Sequence, residues 1–193
     1  NGQYCLDHDE VIYHRPIDME DIQRYLDYIK QNPISTLFIE KEDMYVNFVD
    51  EHTFAAQAAI STPIEPIREK IDGKAPIYQM CPYVSLESHQ EILASLLPHC
   101  SITSWHPQAL DITPLNGTKV TGIEKIMEKY GYQKEEVMSF GDGHNDLEMM
   151  EHTGFSIAMG NANEEVKKRA DYITASVDED GIYLALSHYN LLK

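Results

Sequence analysis

The sequence predicts an α/β fold: a parallel-sheet half joined to an α+β module. Three observations predict it. From residue 110 onward, short β-like runs alternate strictly with amphipathic helical runs across short loops. Residues 17–109 instead pair strands with strands and group their helices. Residues 1–16 read as a hairpin. Strand–helix alternation implies a parallel sheet covered on both faces, whereas grouped elements define an α+β module.

In the hairpin, Tyr4-Cys5-Leu6 and Val11-Ile12-Tyr13 flank the polar turn Asp7-His8-Asp9-Glu10. A helix follows, with Asp18 placed to cap it, Ile22, Tyr25, Leu26 and Ile29 at i, i+3, i+4, i+7, and Asn32-Pro33 to stop it. Ile34–Glu40 and Met44–Val49 are expected strands around Lys41-Glu42-Asp43. Short helices are expected at Thr53–Ile60 and Ile64–Ile71, then a turn at Asp72-Gly73 and a strand at Ala75–Cys81. Leu86–Leu97 is an expected helix with Ile92, Leu93, Leu96 and Leu97 on one face; His99–Trp105 and Ala109–Thr113 are expected strands.

In the second half, Thr121-Gly-Ile-Glu124 fits a capping box ahead of an apolar stripe of Ile123, Ile126, Met127 and Tyr130, ended by Gly131. Strands are expected at Glu136–Phe140, Phe155–Met159 and Asp171–Thr174. Helices are expected at Asp146–His152, Ala162–Arg169 and Glu179–Asn190, the last with Ile182, Leu186 and Tyr189 inward. The expected division is a hairpin at 1–16, an α+β module at 17–109 and a parallel-sheet half at 110–193.

Among the 193 residues, 32 Asp and Glu face 15 Lys and Arg, a net charge of −17. The acidity is spread along the chain, with no basic face to displace counterions from nucleic acid and none to dock on an anionic membrane. Neither partner is expected. Cys5, Cys81 and Cys100 are odd in number and lack metal-ligand spacing, so a reducing, cytoplasmic setting is expected. No apolar run approaches the ~18 residues of a spanning helix. The chain opens on Asn1-Gly2 without Met, and a processed, truncated or incompletely presented polypeptide is expected.

Open parallel sheets bind ligands beyond the carboxyl ends of their strands, which points to the loops after Phe140, Thr113 and Met159. Phe140-Gly-Asp142-Gly-His-Asn145-Asp146 runs from a strand into a loop and out into a helix. Its carboxylates suit a hard divalent cation, and its glycines permit close backbone approach. The order of residues does not fit an EF-hand, either here or at Asp178–Gly181. Lys119 lies between a strand and a helix, where an ammonium can neutralise a phosphate.

These runs, with Gly117–Ile123, Ala158-Met-Gly-Asn-Ala162, Ala170–Thr174 and Asp178–Ile182, resemble the haloacid dehalogenase (HAD) superfamily, and within it the Cof-type phosphatases. The motifs that match lie in residues 110–193. The resemblance implies a partial HAD-like (Rossmann-type) core with an inserted C2-type cap and an Mg²⁺-dependent hydrolase acting on a small phosphomonoester such as a sugar phosphate. It implies a catalytic set of Lys119, Asp142 and Asp146, phosphate binding by Lys119 and Asn145, and metal binding by Asp142 and Asp146. His144 falls at a variable position and reads as a surface residue.

One departure dominates. The family attacks phosphorus with the first aspartate of an Asp-x-Asp-Gly-Thr motif, and the sequence contains no such motif. Asp7-His8-Asp9 has the spacing but is followed by Glu10-Val11 and sits in the hairpin turn. At least two strand–helix units, of about 30 residues each, are therefore expected to be missing. The chain would be inactive alone, with an exposed sheet edge covered by a copy of itself or a partner chain. The alternatives are a non-catalytic binding descendant and a phosphohexomutase-like relative; the latter would need cap arginines, and residues 17–109 hold only Arg24 and Arg68. Tyr83, Trp105 and His106 are candidate substrate contacts in the cap, with core packing the plainer role.

Overall fold

The computed structural model describes residues 1–192. The chain divides into two compact units, Asn1 with Gln3–Thr118, and Gly2 with the residues from Lys119 onward.

The first unit opens on an antiparallel hairpin, β1 (Tyr4–Asp7) and β2 (Glu10–His14), whose turn places His8 at φ 51°. α1 (Met19–Gln31) buries Ile22, Tyr25 and Leu26, as its apolar spacing requires. Asp18 occupies the N-cap without a side-chain cap bond. β3 (Thr36–Glu40) and β4 (Met44–Val46) pair next, followed by α2 (Glu51–Ala59), where Asp50 Oδ1 accepts from Thr53 N at 2.9 Å. β5 (Ile77–Pro82), α3 (Leu86–Leu96), β6 (Cys100–His106) and β7 (Ala109–Pro114) complete the unit.

The five strands form one antiparallel sheet in the order β4-β3-β5-β7-β6. Its main core combines Tyr25 and Leu26 of α1, Phe38, Met80, Leu110 and Ile112 of the sheet, and Leu93 of α3. Each fully buried side chain of this kind contributes roughly 1.5–3 kcal/mol.

Three expectations in this unit change. Ile64–Ile71 is not a helix: Pro66 lies inside it, and a proline holds its predecessor in extended backbone. The segment instead lies along β4, with Val46 N donating to Pro66 O (3.0 Å) and Arg68 N to Val46 O (2.8 Å). Ile92 is exposed, while Leu93 and Leu97 carry the buried face of α3. Ala109–Pro114 pairs with β6 along its length, so it belongs to the antiparallel sheet rather than opening the parallel one. A strand pattern cannot by itself distinguish a returning hairpin strand from the first strand of a parallel array.

The second unit is α4 (Lys119–Tyr130), β8 (Met138–Gly141), α5 (Leu147–His152), β9 (Phe155–Ala158), α6 (Glu164–Arg169), β10 (Tyr172–Ile173) and α7 (Gly181–His188). The strands are parallel in the order β10-β9-β8, with Met138 opposite Phe155 and Gly141 opposite Ala158. Ala158 packs with Leu147, Met150 and Val166 of α5 and α6. Phe155, on the opposite pleat, meets Tyr189 just beyond α7, with ring centroids 5.1 Å apart. Helices therefore lie on both faces, as the alternation implies.

Two details differ from expectation. α4 begins at Lys119, so Thr121 lies inside its first turn and is not the N-cap. α7 buries Gly181 and Ala185 and exposes Ile182, because Gly181 sits against Ala175 O, where a Cβ would come within 2.1 Å. No helix among the described residues is long and apolar enough to cross a membrane.

Candidate active site

β8 ends at Gly141, and the chain folds back through Asp142 and Gly143 into a single 3₁₀ turn, His144–Asp146, that feeds α5. The reversal is tight. A Cβ on Gly141 would stand 2.7 Å from Asp146 Cβ and 2.6 Å from Met150 Sδ, so only glycine fits there.

Asp146 organises this loop. Its side chain is buried, and its Oδ2 accepts from Asp142 N at 3.0 Å and Gly143 N at 3.1 Å. Its Oδ1 receives Lys119 Nζ at 2.5 Å, from the first residue of α4. Burial pushes the Asp146 carboxyl up, but the Lys119 ammonium and the two backbone amides outweigh it and hold the group below its ordinary value. The acid is thus a fixed anion that fastens a loop and a lysine at the same point.

Asp142 points outward from the end of β8 and is exposed. Its Oδ2 accepts from Asn161 Nδ2 at 3.0 Å, and its Oδ1 has no protein partner among the described residues. Asn145 is exposed and makes no side-chain hydrogen bond there; its Oδ1 occupies the space beside Gly143 where a Cβ would lie 2.7 Å away. His144 turns to Glu165, 3.3 Å away, and is a surface residue.

The structure therefore brings Lys119, Asp142 and Asp146 together at the carboxyl end of β8, with Asn145 in the same turn. The sequence reading missed the part played by Asn161. Its signal was present in Ala158-Met-Gly-Asn-Ala162, a strand end running into a Gly-Asn turn, but nothing in the spacing says which loop the amide meets. Asp7-His8-Asp9 sits in the exposed turn of the first hairpin, with His8 Nδ1 2.8 Å from Asp7 Oδ1. Tyr83 is a buried core residue whose Oη accepts from Gln57 Nε2 at 2.8 Å, while Trp105 is partly exposed beside His106.

A parallel sheet carrying an acid–lysine pair and an outward aspartate at one strand's carboxyl end, in a chain that also forms an antiparallel α+β unit, is an α/β architecture with a polar site at a strand end. The profile of the haloacid dehalogenase-like hydrolases matches residues 1–186, and the chain belongs to that family. It is 31% identical over 194 residues to YkrA of Bacillus subtilis (strain 168), which bears a provisional phosphatase name; the match covers 100% of this chain and 75% of YkrA. It is 40% identical over 90 residues to the 5-amino-6-(5-phospho-D-ribitylamino)uracil phosphatase YcsE of the same organism, covering 47% of this chain and 36% of YcsE. Among solved structures, the HAD subclass IIB sugar phosphatase BT4131 superposes with a TM-score of 0.81 at 33% identity, covering 100% of this chain and 74% of that one. By family the chain is a phosphoric monoester hydrolase.

Proposed function

We propose that this chain supplies the metal-binding and phosphate-binding half of an Mg²⁺-dependent phosphatase acting on a small phosphomonoester, such as a sugar phosphate. The observation that carries this reading is the Lys119–Asp146 pair, tied through the Asp142 amide to an outward Asp142 whose Oδ1 has no partner among the described residues.

The donor set fits Mg²⁺. Among the described residues no group of three or more His, Cys, Asp or Glu forms a cage. Mg²⁺ is commonly held by one or two carboxylates, its own waters and substrate phosphate oxygens. Asp142 would hold the ion through Oδ1. Asp146 has both oxygens engaged by this chain, so its assigned role is to set the loop and Lys119 rather than to bind the ion directly. When bound, the ion supplies positive charge against the phosphoryl oxygens.

Lys119 adds a second positive charge at a fixed position, and the Asn145 amide is free to donate to phosphate. A net charge of −17 would otherwise repel an anionic substrate, so the site depends on these local cations. The first unit is assigned substrate selection. Its only two arginines between residues 17 and 109 are already engaged, Arg24 with Asp21 and Leu96 O, and Arg68 with Asp43, Glu40 and the Tyr45 ring. That favours a phosphatase over a phosphohexomutase, which needs a second phosphate site.

The attacking aspartate is assigned to a segment outside these 193 residues, since no Asp-x-Asp-Gly-Thr occurs in them. A strand bearing it, from the same polypeptide, a second copy or a partner, would cover the edge of the parallel sheet at β8. The three free thiols fit a reducing cytoplasm.

The test is phosphate release by the product of the complete reading frame containing this chain, over a panel of small phosphomonoesters with Mg²⁺. Turnover should fall at least about 100-fold in Lys119→Ala and in Asp142→Ala. Turnover unchanged in both would overturn the reading.

A further inference from the structure

The Asn161 amide is held at both ends. Its Nδ2 donates to Asp142 Oδ2 at 3.0 Å, and its Oδ1 accepts from Val177 N at 3.0 Å. The second bond fixes the first. A flipped amide would set its NH₂ against the Val177 N–H and its oxygen against the Asp142 carboxylate, losing both bonds and creating two repulsive contacts.

The backbone is fixed as firmly. Gly160 N donates to Ala175 O at 2.9 Å, and a Cβ on Gly160 would lie 2.6 Å from Ser176 N and 2.7 Å from Ala175 C. The turn after β9 thus lies directly on the backbone that follows β10. The close approach fixes the backbone at Gly160, and the two bonds hold the Asn161 amide. Three loops, at the carboxyl ends of β8, β9 and β10, meet through this one side chain.

We infer that Asn161 is a positioning residue for the cation site: it occupies Asp142 Oδ2 and so presents Oδ1 to Mg²⁺ in one orientation. The inference rests on the assignment of Asp142 as the Mg²⁺ ligand. Partners of this kind commonly change metal affinity by about 10–100-fold when removed; both groups here are exposed, which puts the expectation at the low end.

The test is titration of the 193-residue chain with MgCl₂, followed by the amide resonances of Asp142 and Gly143 and by the side-chain NH₂ resonances of Asn161. Wild type should saturate, and Asp142→Ala should remove the response. Asn161→Ala should raise the Mg²⁺ Kd about tenfold. Val177→Pro removes the N–H that orients the amide and sets its ring Cδ where that hydrogen stood, which displaces Asn161 Oδ1. Proline suits the first position of a 3₁₀ turn, and Ser176 before it is already extended at φ −69°, ψ 169°. It should raise Kd about threefold and add nothing in the Asn161→Ala background. Loss of binding in Asp142→Ala with wild-type Kd in both Asn161→Ala and Val177→Pro overturns the positioning role alone. Unchanged or absent binding across wild type and Asp142→Ala overturns the metal assignment, and the inference with it.

Discussion

Lys119 Nζ lies 2.5 Å from Asp146 Oδ1, and the other oxygen of that carboxylate accepts the amides of Asp142 and Gly143. One buried anion therefore joins the start of α4 to the loop after β8. Asp146→Ala leaves two amides and an ammonium without this acceptor. It should destabilise the second unit by about 1–3 kcal/mol, while Asp146→Asn, which keeps an acceptor, should cost less. Amide exchange in β8 and β9 reads both effects, and equal protection in the two variants would count against this role.

The lowered Asp146 carboxyl has a signed consequence for pH. A carboxylate held below its ordinary value of 3.8 contributes its full stability above that value and loses it as pH falls through the lower folded value. The stability gap between wild type and Asp146→Asn should be flat above about pH 5 and close below about pH 4. Denaturant unfolding at a series of pH values measures the gap; one that widens with acid would reverse the sign.

Gly160 carries the turn that aims Asn161. Gly160→Ala puts a methyl group against backbone atoms that cannot rotate away, with contacts of 2.6 and 2.7 Å. It should cost about 1–3 kcal/mol, as overpacking does, and weaken Mg²⁺ binding through the displaced turn. A thermal melt and a Mg²⁺ titration of the same variant check the two parts.

The first unit has its own buried anion. Asp21 is fully buried on α1 and accepts from Arg24, from His99 N at 3.1 Å and from Cys100 Sγ at 3.5 Å. Burial pushes it up, yet these donors leave it lowered. Asp21→Ala takes their shared acceptor from Arg24, which keeps Leu96 O, and from the His99 amide, and should destabilise this unit by about 1–3 kcal/mol. Trp105, the single tryptophan, reports unfolding of this unit by fluorescence.

The loop Phe140–Asp146 was legible because its chemistry is local: glycines, acids and a strand end adjacent in sequence. Lys119 was legible by position and family pattern, although its ion pair with Asp146 spans 27 residues. Asn161 was not, because its function depends on which two loops it bridges. Ile64–Ile71 is not the helix expected, because Pro66 restricts the backbone before it. Ile182 was misread because the close approach of Gly181 to Ala175, a tertiary fact, rotates α7 so that Ala185 faces inward. Ala109–Pro114 read correctly as a strand, but its partners are set by the hairpin with β6, which strand propensity does not reveal.

We propose that these 193 residues hold the cation and phosphate half of the site and not the nucleophile. The decisive measurement is phosphate release from a sugar phosphate by the purified chain alone, in Mg²⁺. No release above background is expected. Steady turnover that disappears in Asp142→Ala would contradict the claim, because the attacking group would then lie within the chain.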